Sequence, residues 1–67
     1  MKTATLFFVS EEYKVYKTLD GYLFAITPEG DYFYMGNGYE EDFEKGKSTY
    51  IPPEQHSELF AQIKFED

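Results

Sequence analysis

A run of carboxylates is the clearest candidate for chemistry in this 67-residue sequence. Four acids fall within five positions: Glu40, Glu41, Asp42 and Glu44. Carboxylate oxygens are preferred ligands of Ca²⁺ and Mg²⁺. The span from Asp31 to Asp42 places Gly36 at the sixth position, as an EF-hand loop requires, but Phe33 and Met35 occupy positions that need oxygen ligands. This spacing excludes a calcium loop and leaves loose divalent-cation binding as an alternative.

Acid–base or nucleophilic catalysis has few candidate residues. His56 is the only histidine, and no Gly-x-Ser-x-Gly turn surrounds any serine. Ser57 follows His56 directly, but adjacent residues of a helix point about 100° apart. We therefore expect His56 to be a helix-face residue without chemistry. A chain this short also has little room to support a catalytic constellation, so we predict no enzyme activity and no cofactor.

Negative charge beside the only glycine-rich segment disfavours phosphate binding. The Gly36–Gly38 segment could form a glycine-rich loop, but it precedes acids, which would repel a phosphate. The sequence has no arginine, the side chain best suited to bidentate contacts with phosphate and guanine. We therefore expect no direct contact with nucleic acid.

Charge is unevenly distributed along the chain. Thirteen acids and six basic residues give a net charge of −7, and residues 18–44 hold seven of the acids and no base. A field of one sign raises the association rate with a partner of the opposite sign. The middle of the sequence thus favours a protein partner with a basic surface.

Length and composition indicate a single domain, residues 1–67, stabilised by aromatic side chains. Cysteine is absent, which excludes disulfides, and seven Tyr with seven Phe make up 21% of the chain. Each buried ring removes roughly 150–250 Å² from water. No apolar run approaches the roughly 20 residues that span a bilayer, so we expect a soluble, cytoplasmic protein with no membrane contact.

Alternating apolar residues and turn signals predict an antiparallel meander. The predicted strands cover residues 3–9, 13–18, 22–26 and 32–35, separated by turns that include Asp20-Gly21 and Thr27–Asp31. Asn37-Gly38 then predicts a hairpin whose second arm covers residues 39–44. In that pairing, Tyr39 and Phe43 share a face with Tyr32 and Tyr34. The opposite face carries the acids Glu40, Asp42 and Glu44, beside Phe33 and Met35.

The last third of the chain predicts one helix. Pro53 suits the first turn of a helix, and His56, Leu59, Phe60 and Ile63 follow at helical spacing. The expected helix runs from Pro53 to Ile63. The predicted fold is therefore α+β: a small antiparallel β-meander of four to five strands with one short C-terminal helix. Because one helix covers one sheet face, the sheet must curl or leave an aromatic face available.

Acids beside aromatic rings predict a surface that binds another protein without catalysis. The expected contact residues are the acids Glu29, Asp31, Glu40, Glu41, Asp42 and Glu44 with the rings Phe33, Tyr34, Tyr39 and Phe43. Such a surface could occupy a basic or nucleic-acid-binding groove. In composition the chain is similar to small acidic, cysteine-free inhibitors made by phages and mobile elements.

Two alternatives accompany this hypothesis. The acids could form only a solvated edge that keeps the protein soluble. In the second alternative, the chain is a structural or assembly protein, in which the aromatic sheet face forms a homodimer or larger homo-oligomer and the acids only solubilise it.

Overall fold

The computed structural model describes residues 1–67 as one six-stranded sheet with short helices. The strands are β1 (Lys2–Val9), β2 (Lys14–Thr18), β3 (Leu23–Ile26), β4 (Tyr32–Gly36), β5 (Thr49–Ile51) and β6 (Ile63–Glu66). The helical elements are a first 3₁₀ helix (Glu40–Phe43), a second 3₁₀ helix (Pro53–Gln55) and α1 (His56–Gln62). The strand order across the sheet is β5-β4-β3-β2-β1-β6.

The fold is α+β and consists mostly of sheet. Strands β1 to β4 form the predicted antiparallel meander, and β5 extends it by pairing antiparallel with β4. The prediction of a purely antiparallel sheet of four to five strands is wrong, because β6 adds a sixth strand and runs parallel to β1. The chain between β5 and β6 contains α1 and passes from one edge of the sheet to the other.

The predicted Asp-Gly turn joins β2 to β3. Gly21 has a φ of 90°, a conformation that residues with a side chain rarely adopt. Its N–H donates to the Thr18 carbonyl at 3.0 Å, and the Thr18 hydroxyl accepts from the Tyr22 N–H at 3.0 Å. These bonds set the register in which Lys17 pairs with Leu23.

The C-terminal helix is shorter than predicted. The second 3₁₀ helix begins at Pro53, α1 ends at Gln62, and Ile63 has extended backbone angles of φ −132° and ψ 131°. From there, half-buried Ile63 and Phe65 alternate with exposed Lys64 and Glu66. This period of two is that of a strand. In the sequence, the helical spacing that ends at Ile63 conceals this strand.

The first face of the sheet carries a compact apolar core. Its buried members are Tyr13, Val15, Leu23, Ala25 and Met35. Phe33 and Phe43 pack against this cluster while remaining partly exposed. Because Phe43 belongs to the first 3₁₀ helix, that helix covers this part of the face.

The second face curls around the ring of Phe65 in β6. The Phe65 ring centroid lies 5.6 Å from Tyr16, 5.5 Å from Phe24 and 5.5 Å from Tyr32. Tyr32 belongs to β4, and three strands separate β4 from β6. At about 4.8 Å per strand, a flat sheet would hold these two strands about 19 Å apart, too far for ring contact. The sheet therefore curls, and these three rings pack around Phe65.

Candidate protein-binding surface

The acidic segment forms a 3₁₀ helix, and the predicted hairpin arm over residues 39–44 is wrong. Strand β4 pairs instead with β5, so that Phe33 lies opposite Tyr50 and Tyr34 opposite Thr49. At the end of β4, Gly36 has a φ of 63°, and the chain leaves the strand before residue 39. The acids consequently do not alternate along a strand, and the predicted division of acids and rings between two faces is also wrong.

Asp42 shapes the turn into the first 3₁₀ helix. Its Oδ2 accepts a hydrogen bond from the Tyr39 N–H at 2.9 Å, and the residue is buried, with 7% exposure. The bond satisfies a backbone donor that a helix start would otherwise leave unpaired. A Cβ atom added to Gly38 would lie 1.9 Å from Asp42 Oδ2, so this packing requires glycine at position 38. Asp42, one of the predicted contact acids, thus turns into the protein and away from the surface.

Phe43 fixes the other end of the segment. Its ring centroid lies 4.7 Å from that of Tyr13 and 4.9 Å from that of Phe33. Phe33 and Phe43 therefore join the core of the first face, on the side of the sheet opposite Tyr34. Two of the predicted contact rings thus hold the segment against the sheet.

Four other side chains of this segment lie at the surface and are called here the acidic surface. Tyr39 and Glu44 are exposed, and Glu40 and Glu41 are partly exposed. Tyr39 is 69% exposed, the highest value among the exposed aromatic rings of the chain. Glu41 lies 3.8 Å from Lys45 Nζ, a solvent-accessible ion pair of small energetic effect.

The Tyr13 hydroxyl connects the acidic surface to the core. It donates to Glu44 Oε1 at 3.0 Å. Burial of the ring, the hydrogen bond to Glu44 and the nearby carboxylates of Glu44, Glu41 and Glu12 raise the pKa of Tyr13 to about 12. Carboxylates from two separate parts of the chain therefore act on one partly buried hydroxyl. Sequence reasoning missed Tyr13 and Glu12, since no local pattern links Tyr13 to a residue 31 positions away.

The remaining predicted contact residues lie apart from the acidic surface. Glu29 and Asp31 belong to the turn between β3 and β4, exposed and half-buried respectively. Tyr34 lies on the second face, where its ring centroid is 5.2 Å from Phe24 and 6.3 Å from Tyr22. The structure thus brings together four of the ten predicted contact residues at one surface.

His56 occupies a position in the packing between β5 and α1. Its Nε2 lies 3.1 Å from the Ile51 carbonyl oxygen, and because a carbonyl can only accept, Nε2 is the donor. The imidazole packs edge-on against the ring of Tyr32 at 4.9 Å. His56 thus joins the end of β5 to the start of α1, while Ser57 is exposed.

No group of three or more His, Asp or Glu side chains is arranged to hold a metal ion. The largest concave region, about 700 Å³, includes residues of β1, β2 and the turn after β2, and none of the predicted contact residues lines it. No helix has the length and apolar character needed to cross a membrane.

Comparison with known proteins gave no match. No family model matches the sequence, and neither a curated protein nor a solved structure is significantly similar to the chain.

Proposed function

We propose that the chain is a non-catalytic protein-binding module that occupies a basic surface on another protein through its acidic surface. The observation that carries this proposal is that the side chains of residues 39–44 differ in placement, some packed inward and others accessible to solvent. Asp42 and Phe43 turn inward and hold the segment in place, while Tyr39, Glu40 and Glu41 remain accessible to solvent. A segment held in this way loses little conformational entropy when it binds.

The exposed ring and the carboxylates have complementary functions in this mechanism. The carboxylates raise the rate of encounter with a basic partner, since a field of opposite sign steers association. Tyr39 then supplies an amphipathic ring, 69% exposed, that becomes buried on contact. Binding by occupancy needs no reacting group, and it would block a basic or nucleic-acid-binding surface in the manner of a small acidic inhibitor.

The alternative, assembly through an aromatic sheet face, has less support from the packing. The rings of Tyr16, Phe24 and Tyr32 each contact Phe65 within the curled second face. On the first face, Phe33 and Phe43 pack against the core. These packed rings of the two faces thus stabilise the single chain.

Affinity capture from the native host cells tests the proposal. The tagged wild-type chain should capture a protein with a basic surface, and the E40K/E41K variant should lose it because the steering field is reversed at the contact. The matched control is E54K/E58K, which changes the net charge by the same amount, from −7 to −3, at two exposed acids that form no ion pair. Circular dichroism should show that both variants fold.

Equal loss of capture by both variants would indicate dependence on net charge alone. Undiminished capture by E40K/E41K would show that the acidic surface is not the contact. Asp42 is left unchanged, because a lysine at that buried position could not accept the Tyr39 N–H hydrogen bond. Glu44 is left unchanged because it accepts the Tyr13 hydroxyl hydrogen bond.

A further inference from the structure

The two edges of the sheet differ in how they are protected. Strand β5 spans only three residues and is followed by Pro52 and Pro53, which have no N–H to offer a further strand. The His56 ring also donates to the Ile51 carbonyl oxygen at 3.1 Å. Short length, proline and a covering side chain are the usual means of closing a sheet edge. The β5 edge is therefore closed.

The β6 edge is also short, with four residues, but it contains no proline and no side chain hydrogen-bonds its backbone. Its single neighbour in the sheet is β1, and no hydrogen bond outside this pairing involves the backbone of residues 64–66. A strand with one neighbour presents half of its backbone donors and acceptors outward, ready to pair with another strand. Phe65 turns into the curled second face, while the Lys64 and Glu66 side chains are 62% and 45% exposed.

The charges on β6 select a second copy of the same strand as its partner. If two β6 strands pair antiparallel about a two-fold axis at Phe65, Lys64 of each copy lies opposite Glu66 of the other. Opposite charges across a strand pair attract, whereas like charges repel. An axis at Lys64 would place lysine opposite lysine, and an axis at Glu66 would place glutamate opposite glutamate. A shift of one residue would place side chains of the first face opposite side chains of the second face. A continuous sheet therefore allows only an axis that passes through a residue, such as these three.

We propose that β6 pairs antiparallel with β6 of a second copy of this chain, centred on Phe65, to form a continuous sheet across a symmetric dimer. The contact is self-complementary, as a two-fold interface requires. It uses an edge rather than an aromatic face, so each copy keeps its acidic surface, and the dimer carries that surface twice.

Sedimentation velocity over a wide concentration range tests this pairing with charge variants. The wild-type chain should dimerise reversibly. K64E and E66K should each raise the dissociation constant about tenfold or more, because both symmetric cross-strand pairs become repulsive. A mixture of K64E with E66K should form a heterodimer, and K64E/E66K should dimerise by itself, since both restore opposite charges across the interface.

Three results would overturn the proposal. They are a wild-type chain that stays monomeric at every concentration, a dimer that neither K64E nor E66K weakens, and single variants that fail to associate when mixed. Because Lys64 and Glu66 are surface residues that ion-pair at 3.1 Å only with each other, circular dichroism should show that these variants keep the fold. Capture of a basic protein by a monomeric chain would overturn only the dimer and leave the proposed function standing.

Discussion

At the scale of single residues, a glycine and a buried carboxylate determine the path of the acidic segment. Gly38 leaves room for Asp42 Oδ2, which accepts the Tyr39 N–H. This contact holds Asp42 inward, at 7% exposure, while Tyr39 stays 69% exposed. The composition of the segment is acidic throughout, but the structure gives its acids different environments.

Gly38→Ala should destabilise the fold by about 2 kcal/mol, because the added methyl group displaces the Asp42 carboxylate and leaves the Tyr39 N–H without its acceptor. Urea unfolding measures the loss. In an Asp42→Ala background the same glycine substitution should cost much less, since the clash and the hydrogen bond are already gone. Additive costs in the double variant would contradict the packing described.

Tyr13 and Tyr16 predict a loss of stability at high pH. Burial is the largest cause that raises the pKa of each to about 12, followed by hydrogen bonds to Glu44 and Asp67 respectively. Each folded-state pKa lies above the usual 10.0, so the folded protein binds more protons than the unfolded chain between pH 10 and about 12. This contribution is complete below pH 10 and is lost as the pH rises through that window.

Urea midpoints measured across this pH window should fall for the wild-type chain. Tyr13→Phe and Tyr16→Phe should each make the urea midpoint fall less steeply with pH, because each removes a hydroxyl that binds its proton more tightly in the folded state. The matched control is Tyr39→Phe, which alters a ring that is 69% exposed and should leave the slope unchanged. A wild-type midpoint that does not change between pH 10 and about 12 would refute the placement of both tyrosine rings and their hydrogen bonds.

At the scale of elements, β6 stabilises the fold by inserting one ring among others. Phe65→Ala should cost about 3 kcal/mol in the free energy of unfolding, because the ring contacts Tyr16, Phe24 and Tyr32. Phe7→Ala is the matched control, since Phe7 is 49% exposed, and it should cost less than about 1 kcal/mol. Similar costs for the two variants would show that the sheet does not curl around Phe65.

The elements that the sequence predicted are those with local signals. Strands β1 to β4 can be derived from alternation and from turns such as Asp20-Gly21, which need no information from distant residues. The hairpin arm was wrongly predicted because Asn37-Gly38 signals a turn but does not specify the conformation of residues 39–44. The inward turn of Asp42 depends on a clash-free contact with Gly38 in three dimensions.

Strand β6 was missed for a similar reason. Ile63 fits the helical spacing of Leu59 and Phe60, and only the pairing with β1, some sixty residues away in sequence, makes the end of the chain extended. Of the candidate site, the run of acids could be located from composition, whereas Tyr39 was predicted as a contact residue on a hairpin arm that the structure does not contain. The inward placement of Phe43 and Asp42 was not predictable, because it depends on contacts with Tyr13 and Gly38.

At the scale of the whole molecule, the fold leaves two kinds of surface outside the core. One is the acidic surface, where an exposed ring and carboxylates are held by buried neighbours. The other is the open β6 edge, opposite the closed β5 edge. A dimer joined at β6 would present the acidic surface twice and could raise the avidity for a partner with repeated basic sites.

Hydroxyl-radical footprinting of the tyrosines, with and without the captured basic partner, tests the central claim most directly. Tyr39 is 69% exposed within the acidic surface, and Tyr50, 48% exposed in β5, is the internal control. Partner binding should protect the Tyr39 side chain from oxidation and leave Tyr50 unchanged. Protection of Tyr50 with Tyr39 still fully reactive would show that the acidic surface is not where the partner binds.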